Sequence, residues 1–530
     1  MITAVALVGF APFAARRLLT YLHLFQQEEY DTGRFARWIV ANRAWDRRLS
    51  LVLLALFAAE LIATRWTVPA WLFPALAGAA CLGAAAIERD PRRRAKKPLA
   101  MTARARRIYA VALALAVLLG IAAALAGPLI IGWLVAVQLV PLALLAANLL
   151  LAPLEARVQQ RYWQDAHDKL RRLAPTVIAV TGSYGKTSVK HILGHVLETA
   201  APTLITPGSV NTAMGIARII RERLQPHHRY FVVEMGAYGI GSIARLCALT
   251  PPTLGIVTAI GKAHYERFKS LEAVAQAKFE LAEAACGNGG TVVVAADTLA
   301  FAAPRNFIAR HAAAVVTVGA EAGADFAIEA LTQEADGVRA SVRWRGREYE
   351  LRAPLYGLHQ GRNIALAFAA AASLGLAPDD IVAALQSTPQ IAHRLEVKHQ
   401  PDGTVLIDDA YNSNPVGFAS ALALLDTLRP NDGRRILVTP GMVELGSAHD
   451  AEHAAIGRLA AAHADILVAV APRRVAPLAA AFAAAAPARE IVSCAGFAEA
   501  RAWLDRNLTP RDVVLIENDL PDLLEQPPRL

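Results

Sequence analysis

Cysteine is scarce in this sequence. Cys81, Cys247, Cys286 and Cys494 are the whole complement, and no two of them form a CxxC pair. Their spacing excludes a zinc ribbon and a disulfide framework, and points to inert buried thiols in a reducing compartment. Charge is scarce as well, with Asp, Glu, Lys and Arg at 19% of the residues against 55% apolar. That balance excludes a purely soluble enzyme. Acids are the minority sign and the net charge is +9, a surplus that suits nucleic acid or an anionic membrane surface. The basic residues are dense before Arg172 and balanced by acids after it, so a membrane is expected and a nucleic-acid partner is not.

Long apolar runs are what the front of the chain does have. At 530 residues it is too long for one domain. Apolar stretches fall at Ile2–Ala15, Leu49–Thr64, Val68–Ile87, Tyr109–Leu125 and Leu129–Leu151. A spanning helix needs about 20 mostly apolar residues, so the last three qualify and the first two rely on their flanks. No small-residue cleavage site follows the first stretch, and Arg16 and Arg17 lie on its C-terminal side, the reverse of a signal peptide's charge order. The segments Gln26–Arg48 and Glu88–Arg107 are rich in Arg and Lys and should stay cytoplasmic. These features predict an all-α transmembrane region over residues 1–153, of about five helices, with the lipid bilayer as partner. It would sit in the inner or plasma membrane, with everything downstream in the cytoplasm. Glu60, inside the second stretch, is expected to pair with Arg65 near the interface. Residues 154–174 read as a polar helical connector.

From Pro175 the pattern becomes that of an α/β protein. Thr176–Val180 is a β-branched run, followed by Thr181-Gly182-Ser183-Tyr184-Gly185-Lys186-Thr187-Ser188 and then a helical pattern. Strand, glycine loop, Gly-Lys-Thr and helix form a phosphate-binding arrangement. Lys186 would reach the terminal phosphates and Thr187 would offer its hydroxyl to Mg²⁺. The glycine of the usual Walker pattern is replaced by Val180. Tyr230–Gly236 reads as a strand ending in Glu234, a hard carboxylate well placed for Mg²⁺ at a strand's C-terminal edge. Ala460–Ala488 is alanine-rich, but no solenoid repeat is present.

The TGxxGKT form at Thr181–Thr187 resembles the nucleotide loop of the Mur ligase family, and later segments follow in the family's order over roughly Pro175–Pro521. The resemblance implies a central ATP-binding domain of P-loop type over residues 175–390 and a Rossmann-like C-terminal domain over 391–530. It places Gly182, Ser183, Tyr184, Gly185, Lys186, Thr187 and Ser188 on ATP, and Asn363, Arg394 and Asp409 beside it. It gives metal roles to Thr187, Glu234, His264 and Lys278, the last through a carbamate formed with CO₂, around two Mg²⁺ ions. Lys186, His264 and Lys278 would be the catalytic set. Asn211, Thr212, Asn412 and Asn414 would face the substrates. Two departures matter: Gln360 stands where the family commonly has asparagine, and Glu517-Asn518-Asp519 replaces a Lys-Gly-Ser-Arg-type ending.

The function so implied is ATP-dependent amide-bond formation through an acyl phosphate. The substrates would be a peptidoglycan or related precursor and an amino acid or dipeptide. Soluble relatives carry a UDP-sugar-binding domain where this chain has its apolar stretches, so a membrane-presented acceptor is expected. Two alternatives stay open: a ligase building another envelope or storage polyamide, and a membrane scaffold with an inactive nucleotide domain. No ABC-type signature follows the loop, which excludes that transporter class.

Overall fold

The computed structural model describes residues 4–63, 68–69, 71–94, 98–127, 129–261, 268–411, 413–429, 433–443 and 445–520. Arg65, His264 and Asn412 lie outside the described residues. Internal contacts separate Met1–Gln159 from Gln160–Asp519.

The first unit is all helical. Four helical stretches among the described residues are long and apolar enough to cross a membrane: Val5–Gln27, Leu72–Arg93, Ala103–Leu125 and Ile131–Leu173. Arg48–Ala63 is apolar too but has 16 residues, a length of about 24 Å. The sequence pattern suggested five such stretches; four reach the length. Leu51, Leu118, Leu149 and Leu150 stand exposed on these helices, as a lipid-facing surface requires.

The first helix continues to Gln27 although its apolar run ends at Ala15. Arg17 explains this, because its charge is neutralised inside the unit. Its Nη2 lies 2.8 Å from Asp46 Oδ2 and 3.0 Å from Glu88 Oε2. Thr20 Oγ1 donates to the other Glu88 oxygen at 2.6 Å. Glu60 finds a backbone partner: its Oε2 accepts from the Ile130 N–H at 3.0 Å. That places a carboxylate at the start of the helix Ile131–Leu173, where the dipole favours it. This helix is continuous for 43 residues, so the connector expected at 154–174 is the end of the last apolar helix.

The second unit holds two sheets. The first contains β1 (Thr176–Thr181), β2 (Thr203–Ile205), β3 (Tyr230–Glu234), β4 (Leu254–Val257), β5 (Thr291–Ala295), β6 (Val315–Gly319), β7 (Phe326–Glu334), β8 (Gly337–Trp344) and β9 (Arg347–Ala353). Their order is β2-β3-β1-β4-β5-β6-β7-β8-β9. The strands are parallel up to β7, and β7-β8-β9 form an antiparallel meander. β1 pairs with β3 so that Val180 is opposite Glu234, which brings the glycine loop and that carboxylate to one edge. The second sheet contains β10 (Glu396–His399), β11 (Val405–Asp409), β12 (Arg435–Thr439), β13 (Ile466–Val470), β14 (Glu490–Cys494) and β15 (Val513–Glu517). Its order is β10-β11-β15-β12-β13-β14, with only β10 antiparallel. Both are α/β sheets with helices packed against them, the arrangement that continuous apolar strands demand.

The helix Leu358–Ser373 closes the core of the first sheet. Phe368 is fully buried on it, with ring centroids 5.1 Å from Phe326 and 5.3 Å from Tyr349. Phe368→Ala would leave a cavity in a region with no room to collapse. We expect a loss of about 3–5 kcal/mol, read from denaturant unfolding of the full chain; a change within experimental error would contradict the packing described.

Candidate active site

Between β1 and the helix Lys186–Glu198 the chain must turn within four residues. Gly182 and Gly185 do this with φ of +155° and +80°, where a side chain is strained. Each also lies against a neighbour: a Cβ at Gly182 would fall 1.9 Å from Thr258 Oγ1, and one at Gly185 2.6 Å from Asn363 Oδ1. The Ser183 hydroxyl donates to Gly261 O at 3.0 Å and the Gly261 N–H donates back to it at 2.9 Å. Thr258 Oγ1 donates to Tyr184 O. The loop is therefore locked to the segment that follows β4. Its last residue is the cap of a helix whose free N–H groups and dipole favour an anion. Lys186 Nζ curls back over the loop, donating to Gly182 O at 2.8 Å and Ser183 O at 3.3 Å.

Glu234 ends β3 and is 1% exposed. Its Oε2 accepts from Thr187 Oγ1 at 2.9 Å and Lys190 Nζ at 3.1 Å, and its Oε1 from Asn211 Nδ2 at 3.1 Å. Burial pushes its pKa up, but Lys190, Lys186 and these hydrogen bonds outweigh that and leave the carboxyl below its usual range. Tyr238 Oη donates to the other side of the Asn211 amide at 3.2 Å. Lys278, on the helix Leu271–Gly287, is buried too. Burial holds its amine well below the usual lysine range, and the Lys186 charge adds to this. Burial beside a second cation favours the uncharged amine over the ammonium.

The helix Leu358–Ser373 and the second sheet carry the remaining polar groups. Asn363 Nδ2 donates to Gln360 Oε1 at 2.9 Å, both buried at the start of the helix Leu358–Ser373. Arg394 lies over the Tyr411 ring at 4.1 Å, and Tyr411 Oη meets Ser209 Oγ. Asp409 and Glu517 face each other across paired strands. Asp409 Oδ1 accepts from the Leu395 N–H at 3.2 Å, and Glu517 Oε1 from Ser413 Oγ at 2.5 Å, while Glu517 Oε2 is buried without a donor. Burial, with the Asp409 charge adding to it, raises the Glu517 carboxyl well above its ordinary range. Asp409 is itself pushed up to about 6 by burial, opposed by Arg394. Both carboxyls are thus pushed toward the protonated form.

The structure thus gathers Lys186, Thr187, Asn211, Glu234 and Lys278 around the glycine loop. Asn363 rests against Gly185, and Arg394 is close enough for its charge to act on Lys186 and Asp409. Ser188 is buried in the helix. Thr212 and Asn414 have a plainer duty, each capping a helix by accepting from Gly215 N (3.4 Å) and Gly417 N (3.0 Å). His264 and Asn412 fall outside the described residues. Sequence reasoning missed Lys190, Tyr238, Tyr411 and Glu517's partnership with Asp409. Only Lys190 left a signal, one helical turn beyond Lys186 on the same face. His393, Glu396 and Asp408 bring three potential ligand atoms within 4.8 Å of one another. Lys398 Nζ already fills the cation's place there, 3.0 Å from Glu396 and 3.4 Å from Asp408.

Residues 180–371 match the Mur ligase middle domain and residues 393–517 the Mur ligase glutamate ligase domain. Among curated relatives, the UDP-N-acetylmuramoyl-tripeptide–D-alanyl-D-alanine ligase of Mycobacterium tuberculosis is 36% identical over 290 residues, 54% of this chain and 56% of the relative. That of Escherichia coli is 33% identical over 289 residues, 54% of this chain and 62% of the relative. The match therefore spans less than two thirds of either relative. Among solved structures, MurF from Acinetobacter baumannii superimposes with a TM-score of 0.58 at 25% identity, covering 68% of this chain and 77% of that one. MurF ligase from Thermotoga maritima in complex with ADP shares the fold, with a TM-score of 0.58 at 24% identity over 68% of this chain and 80% of that one.

The Asp409–Glu517 pair carries a pH signature. Glu517's native pKa is raised, so its contribution to stability is fully present below the ordinary glutamate range, about 4.3, and is lost as pH rises through the native value. Glu517→Gln keeps a donor toward Asp409 and removes the proton. Its unfolding free energy should therefore gain on the wild type by up to about 1.4 kcal/mol per pH unit above that range. Parallel melting curves over pH would check this, and identical pH slopes would refute a raised Glu517 carboxyl.

Proposed function

By residues 180–371 and 393–517 the chain belongs to the Mur ligase family, and from that premise we propose that it is an ATP-dependent amide-bond-forming ligase working at a membrane. The observation that carries the reading is the convergence of Lys186, Thr187, Glu234 and Lys278 on one glycine loop. The residues fit a nucleotide with Mg²⁺. The loop is a cradle that a Cβ would fill, and Thr187 and Glu234 offer the hard oxygen donors such an ion takes. Bound there, ATP would supply a phosphoryl group to a carboxylate, and an amine would then displace phosphate from the acyl phosphate to give the amide.

The chain's own side chains would divide the work. Backbone N–H groups of residues 184–187 would hold phosphate oxygens, and Lys186, now turned onto its own loop carbonyls, would extend to them. Glu234 and the Thr187 hydroxyl hold the divalent ion, with His264 as a further donor. Lys278 is buried with its amine shifted toward the uncharged form, which would let it add to CO₂, lose a proton and become an anionic oxygen ligand. Arg394 sits where its fixed charge faces the phosphates. Gln360 and Asn363, already paired, present an amide edge to the base, and Asp409 faces the ribose. Asn211 and Thr212 would stand at the acceptor side, and Asn412 and Asn414 at the amine side.

The acceptor we propose is a peptidoglycan-type precursor presented at the bilayer, and the amine component an amino acid or dipeptide. The helical unit supports this. Gln26 exchanges hydrogen bonds with Ala100 (2.9 and 3.0 Å), and Asn148 bonds Tyr30 O and Thr32. Both basic segments therefore share one end of that unit with the helix that runs on into the ligase. Basic ends of this kind stay cytoplasmic, where ATP is available.

Incubation of the full chain in nanodiscs with candidate acids and amines provides the test. ADP should form only when both are present, and mass spectrometry should find their amide. Lys186→Ala should lower the rate at least about 100-fold. ATP consumption indifferent to the amine would sink the ligase reading. Under ¹³CO₂, a carbamate carbon signal should appear in the wild type and vanish in Lys278→Ala; a signal of equal size in both would remove the carbamate role.

A further inference from the structure

Lys190 is the most deeply buried cation of the ligase unit among the described residues, at 0% exposure, and no step above uses it. Its Nζ reaches two places at once. One is Glu234 Oε2, at 3.1 Å. The other is the carbonyl of Gly208, in the loop of residues 206–212 that also carries Asn211. The same oxygen of Glu234 takes the Thr187 hydroxyl. The tethered ammonium thus shares with the Thr187 hydroxyl the carboxylate oxygen that would serve a divalent ion. At the residue after Gly208, the loop touches the C-terminal domain through Ser209 and Tyr411.

We propose that Lys190 is a resident counter-cation that stands in for the divalent ion at Glu234, and that it couples metal loading to the acceptor loop through Gly208. The inference rests on the reading of Glu234 as a metal ligand. Burying a carboxylate at this depth without a positive partner is costly, so the empty site needs a cation of its own. When a divalent ion takes the Glu234 oxygen, the ammonium is repelled and its bond to Gly208 must rearrange. The loop that holds Asn211 is then released or reset only when the metal is in place. Reciprocity follows: whatever fixes the loop away from Lys190 tightens the metal, and the metal alters affinity for whatever the loop holds.

Manganese alone, followed by electron paramagnetic resonance on the full chain in nanodiscs, reads the first half. Lys190→Gln keeps a donor for Gly208 but removes the competing charge. It should bind Mn²⁺ without nucleotide about tenfold more tightly than the wild type, within the usual range of such couplings. Lys190→Arg should retain wild-type affinity. Unchanged or weaker Mn²⁺ binding by a cooperatively folding Lys190→Gln protein overturns the proposal. Hydrogen exchange in the wild type reads the second half and needs no variant. Mn²⁺ should change exchange of the backbone amides around Gly208 several-fold, and Lys190→Gln should abolish that response. A loop indifferent to Mn²⁺ in the wild type overturns the coupling. Acid- and amine-dependent ADP release would survive either failure, so the ligase reading stands or falls separately.

Discussion

Glu234 is ionised at a depth where an isolated carboxylate would lose several kcal/mol, by rough estimate, in hydration. Thr187, Lys190 and Asn211 compensate it, the first two from the start of the helix after the glycine loop and the third from the loop after β2. That single requirement ties β3, the phosphate loop and the acceptor-side loop to one point. The parallel register of β1 and β3, with Val180 opposite Glu234, follows the same geometry. A small displacement of any one of these elements would leave a buried charge unpaired.

The same constraint is met differently elsewhere. In the second sheet, Asp409 and Glu517 are adjacent on parallel strands, and burial raises both carboxyls toward the protonated form. In the helical unit, Arg17 is held by two carboxylates from distant segments, Asp46 and Glu88. Arg107 likewise pairs with Glu155 at 2.6 Å. Each unit neutralises its own buried charges, so each can keep an apolar core around them. Lys278 is the exception. Its surroundings offer a cation instead of an acid, which with burial pushes its amine toward the uncharged form.

Much of the architecture could be read from residue order. β-branched runs marked β1, β3, β4 and β13, because strands buried on both faces show as continuous apolar stretches. The glycine loop was legible because few backbones besides a strand–loop–helix need Gly-Lys-Thr at that spacing. Arg16 and Arg17 misled the reading of the first helix, since a charge looks like a terminus until its partners, 29 and 71 residues further on, are known. Thr212 and Asn414 sit in motifs and also cap helices, because turn-forming residues serve both purposes.

By itself, the sequence determined the element types, the phosphate loop and the division between an apolar helical front and an α/β remainder. These depend on local periodicity and on motifs a few residues long. Only the tertiary structure decided which charges meet: Lys190 with Glu234 and Gly208, Glu517 with Asp409, Glu60 with the Ile130 N–H. Such pairings are set by how strands and helices pack across tens to hundreds of residues. The energy of a buried charge depends on what surrounds it in space, not on its neighbours in the chain.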